Sequence, residues 1–173
     1  MTIERLWAGW RMAYVEGPAD ARVAAGEGSL FERILTSGLP DREAYVLWRG
    51  ATCAALLNAY PYNNGHLMVL PRRAVAGLDG LSEAEHAELW RGVRMGVAAV
   101  TAAYHPQGVN VGLNLGPASG AGVPDHLHVH VVPRWSGDTN FMTAVAETRV
   151  VPEALDATWA KLRAAWPVDE PGS

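Results

Sequence analysis

Thiol chemistry is almost missing from this chain of 173 residues: Cys53 is its one cysteine. That excludes an internal disulfide and any zinc cage built on two or four thiolates. Charge is sparse as well, at 18% of residues, and 14 Lys and Arg against 18 Asp and Glu leave a formal net charge of -4. Duplex nucleic acid calls for a basic face, so no nucleic-acid partner is expected, whereas a small anionic ligand needs only a local nest of donors. Long apolar runs are lacking too: Ala54 to Leu57 and Leu67 to Leu70 fall far short of the roughly 20 residues of a membrane span. No membrane partner is expected. The segment Met1 to Trp10 carries Glu4 and Arg5 and lacks the basic, apolar, small-residue order of a secretory signal, which predicts a cytoplasmic location. There is no internal repeat, so solenoids and propellers drop out.

What is present is the composition of a folded protein, 49% apolar with 18 Gly and 11 Pro spread through the chain, of a length that fits one domain. Ser29 to Ser37 predicts a short helix stopped by Gly38 and Pro40. Ala44 to Arg49 and Thr52 to Ala59, divided by Gly50, read as antiparallel strands joined by a tight turn. His66 to Leu70 is a further strand, ending at Pro71. Leu81 to Tyr104 is the longest helical segment, with Ser82 and Glu85 as a capping box and Leu89, Val93, Val97, Val100 and Tyr104 as an apolar stripe. Gly108 to Leu115 and His126 to Pro133 are strands flanking a loop, Gly116 to Asp125, rich in glycine and proline. A last helix runs from about Pro152 to Trp166, with Pro in its first turn, and the tail from Val168 to Ser173 is expected to fray. The pattern predicts an α+β fold with a mostly antiparallel five-stranded sheet, a long helix and a C-terminal helix.

The main chemical signal is His126, His128 and His130 alternating with Leu127, Val129 and Val131. On a strand the three imidazoles share one face over about 13 Å while the apolar partners turn to the core. Three uses remain open: a solvent-facing strand, a metal site with two imidazole ligands, or an imidazole nucleophile whose other ring nitrogen donates to a carbonyl. The preceding loop could offer backbone N–H groups to a phosphate, which favours attack on phosphorus. His66 follows a turn at the head of a strand, a place where a lone histidine is more often structural. Trp48, Trp90, Trp159 and Trp166 are expected in the core, Cys53 as a small buried side chain, His86 at the surface, and His105 at the end of the long helix.

The run His126-Leu127-His128-Val129-His130-Val131-Val132 resembles the signature of the histidine triad (HIT) superfamily. A second block agrees: Asn58, then Gly65-His66, then Val69-Leu70-Pro71. The flanks Leu6 to Arg11 and Pro133 to Phe141 resemble the diadenosine tetraphosphate phosphorylase and fragile-histidine branch. The resemblance implies a single HIT domain over residues 1–167, a homodimer, and a nucleotide substrate, with cleavage of a dinucleoside polyphosphate at the α-phosphorus. It implies His128 as the nucleophile that becomes nucleotidylated, His130 as support for phosphate oxygens, and His126 and His66 as outer members of the cluster. Asn58 falls where the family binds ribose, and Asn114 at a polar position near phosphate or acceptor, where Asn leans to phosphorylase-type members. Gly120 and Gly122 belong to the phosphate loop.

Two departures stand out. Many bacterial members carry Cys-x-x-Cys just before the first helix and bind zinc with two histidines, whereas this chain has Ser29-Leu30-Phe31-Glu32; no protein-bound metal and no required cofactor is expected, and divalent ions enter only with the polyphosphate. The family's loop Ser or Thr is replaced by Gly122 or Val123. The competing readings are an asymmetric dinucleoside polyphosphate hydrolase, a nucleoside phosphoramidate hydrolase, and a non-catalytic nucleotide sensor.

Overall fold

Two serines open two helices by the same device. Ser29 caps α1, Leu30–Thr36, by accepting the Glu32 N–H while the Glu32 carboxylate accepts the Ser29 N–H. Ser82 and Glu85 repeat the capping box at α2, Glu83–Tyr104, which ends where His105 turns left-handed at φ 46° ahead of Pro106. A computed structural model describes residues 26–119, 121–138 and 153–168. Within them the strands are β1 (Val46–Arg49), β2 (Cys53–Leu57), β3 (Leu67–Pro71), β4 (Gly108–Leu113) and β5 (Val129–Arg134), and α3 is Leu155–Ala165. All pairings are antiparallel, in the order β1-β2-β3-β5-β4.

Period-two alternation in β2, β3 and the histidine segment divides the side chains between two layers. Cys53, Ala55, Leu57, Leu67, Val69, Leu127, Val129 and Val131 pack with Leu89, Val93 and Val100 of α2 and with Leu162 and Trp166 at α3. The opposite face, Ala54, Leu56, Met68 and Leu70, is covered by Phe31, Ile34 and Leu35 of α1. Each Val, Leu, Ile, Phe or Met among them stabilises the fold by about 1.5–3 kcal/mol when it leaves water. α2 lies close to the sheet because Gly92 faces it: a Cβ there would meet Val69 Cγ1 at 2.8 Å.

Several expectations shift. Trp48 and Trp166 are buried, but Trp90 is 40% exposed on the outer side of α2, beside His86, which is exposed as expected. α3 begins at Leu155, and Pro152 lies outside the described residues, as do Leu6 to Arg11 and all of the tail but Val168. The strand expected from His126 begins only at Val129. Its ladder with β3 starts at the Val69–Val129 pair, and Pro71, which has no N–H, closes β3. The carbonyl groups of Pro71 and His126 accept from imidazole side chains instead.

The sequence did not announce two buried carboxylates of α2. Glu88 closes the β1–β2 turn, accepting the N–H groups of Ala51, Thr52 and Cys53 and the Thr52 hydroxyl. Glu85 takes two hydrogen bonds from Arg73, whose guanidinium holds the carboxyl at about 2, with the Ser82 N–H adding to it.

Candidate active site

The histidines gather where β3 and β5 meet the segment that joins β2 to β3. His126 and His66 are each 1% exposed and His128 is 5% exposed, while His130 is half-buried. The chain Tyr60 to Gly65 folds back so that His66 can face His130; Gly65, at φ +78°, makes the turn against the Tyr104 ring, which a Cβ would meet at 2.9 Å. Phe31 of α1 meets the His126 and His128 rings edge-on, with centroids 5.3 and 5.2 Å away.

Hydrogen-bond partners that can only donate or only accept fix the ring tautomers. Pro71 O faces His126 Nε2 at 2.8 Å, so the proton of His126 is on Nε2, and Nδ1 accepts from the Ser29 hydroxyl at 2.5 Å. His126 O faces His128 Nδ1 at 2.8 Å, so His128 carries its proton there and its Nε2 holds a lone pair. The Tyr62 N–H points at His66 Nδ1 at 3.0 Å, so His66 is protonated on Nε2 and donates to His130 Nδ1 at 2.9 Å. His130 is thereby left with Nε2–H, a buried donor with no partner among the described residues. Asn58 Nδ2 lies 3.4 Å from His66 Nε2 and its Oδ1 accepts the Tyr60 N–H.

Two cavities meet at His130. One, of about 340 Å³, is mainly apolar, walled by Phe31, Ile34, Leu56 and Tyr60 with Asn58, Gly122 and His128 at its polar end. The other, of about 590 Å³, is the more polar of the two, with Asn63, Asn110, Ser119, Arg134 and Asp138 in its wall beside Val111, Leu113 and Val132. Tyr62, Asn114 and His130 line both. Arg134 is held by two hydrogen bonds to Asp138 and one to Asn110. Of the residues singled out from sequence, His128, His130, Asn58, Asn114 and Gly122 therefore line cavities. His126 and His66 stand behind them, and Gly120 lies outside the described residues. Phe31, Tyr62 and Ser119 were not foreseen; the Tyr-Pro-Tyr-Asn-Asn-Gly-His run was the one signal for Tyr62.

Burial lowers the pKa of His130 to about 4, with the neighbouring His128 adding to the effect, and burial likewise lowers that of His126. Both rings are neutral at pH 7. Their folded pKa values lie below the unfolded value of about 6.5, so the unfolded chain binds more protons as pH falls below that value. Their contribution to stability is complete above pH ~6.5 and is lost as pH falls through the folded values. The urea midpoint is expected to drop between pH 7 and 5, less steeply in His130→Asn; equal slopes would contradict this.

A metal is a second use of clustered histidines, and the donor set answers it. Ser29 and Glu32 offer a hydroxyl and a carboxylate at the place where the resemblance implies thiolates for zinc. Glu32 Oε1 and Oε2 accept the Ala74 and Ser29 N–H groups, and both His126 nitrogens are engaged. Among the described residues no three His, Cys, Asp or Glu side chains converge on a point that could hold an ion. These residues do not fit a zinc centre.

An antiparallel sheet that brings two imidazoles to a two-part cavity and sets two more behind them, each with its tautomer fixed by the backbone or a neighbour, defines a histidine triad protein. The HIT domain model matches residues 41–137, and the chain belongs to that family. A relative named AP-4-A phosphorylase, from Mycobacterium tuberculosis, is 42% identical over 95% of this chain and 85% of its own length. Among solved structures, a hypothetical histidine triad nucleotide-binding protein from Sulfolobus tokodaii is 26% identical, with a TM-score of 0.63 over 78% of this chain and 89% of that one. A Zn-bound histidine triad family protein from Mycobacterium smegmatis is 25% identical, again at 0.63, over 79% and 91%.

Proposed function

We propose that the protein is a dinucleoside polyphosphate phosphorylase that passes a nucleoside monophosphate through His128. The observation that carries this reading is the pair of opposed tautomers: a lone pair on His128 Nε2 beside a buried N–H on His130 Nε2. The nucleoside enters the apolar cavity, with Asn58 toward the ribose, and the remaining phosphates extend past Tyr62, Asn114 and His130 into the polar one. His128 Nε2 attacks the α-phosphorus, the bond from that phosphorus to the bridging oxygen breaks, and the rest of the polyphosphate leaves. The positive charge that develops on the ring is stabilised through Nδ1–H and the His126 carbonyl, and His130 Nε2–H donates to a phosphate oxygen as charge builds there. Inorganic phosphate then forms a bond to the same phosphorus and His128 departs, regenerating the neutral ring. With diadenosine tetraphosphate the products are ATP and ADP. Divalent ions enter as companions of the polyphosphate. Gly122 and Val123 supply no hydroxyl in the loop, and Ser119, in the wall of the polar cavity, supports a role for that side chain near the phosphates.

The AP-4-A phosphorylase relative and Asn114 at the junction of the cavities support phosphate as the acceptor. A cytoplasmic homodimer belongs to the same reading. β4 is a sheet edge among the described residues, with Val111 43% exposed and Leu115, just beyond the strand, 48% exposed; a second copy of the strand would cover them. Light scattering should give twice the chain mass of 18.6 kDa. The function is tested by incubating protein with diadenosine tetraphosphate, with and without inorganic phosphate, and separating the products. ADP and ATP in equal amounts, dependent on phosphate, are expected. AMP and ATP without phosphate would make it an asymmetric hydrolase, and binding without turnover would make it a sensor.

A further inference from the structure

Ser29 lines neither cavity, and yet its one hydroxyl joins three parts of the site. The oxygen accepts the Glu32 N–H at 3.2 Å and so caps α1. Its proton goes to His126 Nδ1, because the other nitrogen of that ring is committed to Pro71 O. The peptide carbonyl of His126 in turn holds Nδ1–H of His128. α1 returns the connection from the other side, since Phe31, two residues past the cap, packs edge-on against both rings.

We infer that Ser29 is a positioning residue for the His128 nucleophile, a hydroxyl that sets the ring by hydrogen bonding at a place where the donors present do not fit a metal. The inference rests on the proposed role of His128. His126 is 1% exposed, so no bulk water stands ready to replace the hydroxyl. Without it the Nδ1 lone pair is buried and unmatched, and the ring and its peptide must shift to find a donor. Any such shift turns the His128 lone pair away from the line of attack, where small displacements are costly. Capping alone predicts something different, because glycine is nearly as good an N-cap as serine.

Two substitutions separate the roles. Ser29→Thr keeps both cap and donor, and Ser29→Gly keeps a serviceable cap and removes the donor. Ser29→Gly should lower kcat for nucleotidyl transfer by about ten- to a hundredfold, with KM within about twofold and Ser29→Thr close to wild type. Independently of activity, the downfield proton resonance of His128 Nδ1–H should persist in the wild type and Ser29→Thr and broaden or vanish in Ser29→Gly. Wild-type protein dialysed against chelator should hold no stoichiometric zinc and keep its kcat. A Ser29→Gly protein with wild-type kcat and an unchanged His128 resonance would overturn the inference, as would stoichiometric zinc whose removal stops turnover. If the wild type itself turns nothing over, the proposed function fails, and the resonance alone still decides whether Ser29 sets the His128 ring.

Discussion

Replacing His128 by Ala is expected to reduce turnover by about 10⁴-fold or more, because it removes the proposed nucleophile rather than one supporting interaction. Nucleotide binding should survive. The ring supplies part of one wall of the apolar cavity, whereas Phe31, Ile34, Leu56 and Asn58 remain to hold a nucleoside. The fold should survive as well: His128 precedes the β5 ladder, and its side-chain hydrogen bond is to the neighbouring His126 carbonyl. Calorimetry with a non-cleavable dinucleotide, set beside a turnover assay, checks both halves. A His128→Ala protein with more than a hundredth of wild-type turnover would mean that phosphorus is attacked by something else.

The second large effect concerns a pair of residues. His130→Ala removes the buried N–H donor and should cost roughly 10²–10³ in kcat, the usual penalty for losing a donor to developing charge. His66 lines neither cavity, yet His66→Ala should cost nearly as much. The Tyr62 N–H forces the His66 proton to Nε2, and that proton forces the His130 proton to its own Nε2. Remove His66 and His130 is free to place its proton on Nδ1, turning a lone pair toward the phosphate. The two changes act on one donor, so the double variant should be little worse than either single one. Kinetics of the four proteins give the coupling directly. Additive losses would show that His66 acts separately from His130.

Which of these features could be read from the amino acids follows from how far apart the interacting residues lie. The short helix from Ser29, the capping box at Ser82, the β1–β2 turn and the alternation of His with Leu and Val are local patterns, and each appears in the fold close to where the sequence puts it. The two-layer division of the triplet follows from the same alternation, since Leu127, Val129 and Val131 enter the α2 side of the core. Strand onset at Val129 is not local: it depends on where β3 runs out at Pro71. The hydrogen bond from Ser29 to His126 spans 97 residues, and nothing in the spacing of either residue signals it. Glu85 is legible only as the partner of Ser82 in the capping box and Glu88 carries no local signal; their burial follows once Arg73 and the β1–β2 turn are brought against them. Trp90 misleads in the opposite direction, because the small residues Gly92, Gly96 and Ala99 rather than the largest aromatic form the face of α2 turned to the sheet.

The tautomers were out of reach for the same reason. An imidazole at a given position has two neutral forms, and the choice depends on a carbonyl or N–H that only the folded backbone supplies. Residue identity marked the histidines as reactive; the Pro71 and His126 carbonyls and the Tyr62 N–H assign them different work.

The central claim is that a nucleoside monophosphate is transiently bonded to His128 Nε2. It is tested most directly by mixing protein with radiolabelled diadenosine tetraphosphate without inorganic phosphate, quenching in alkaline denaturant to preserve a phosphorus–nitrogen bond, and mapping the labelled peptide by mass spectrometry. Adenylate is expected on His128, discharged as ADP when phosphate is added before the quench. Turnover with no label on His128, or label on another residue that discharges at the catalytic rate, would contradict it.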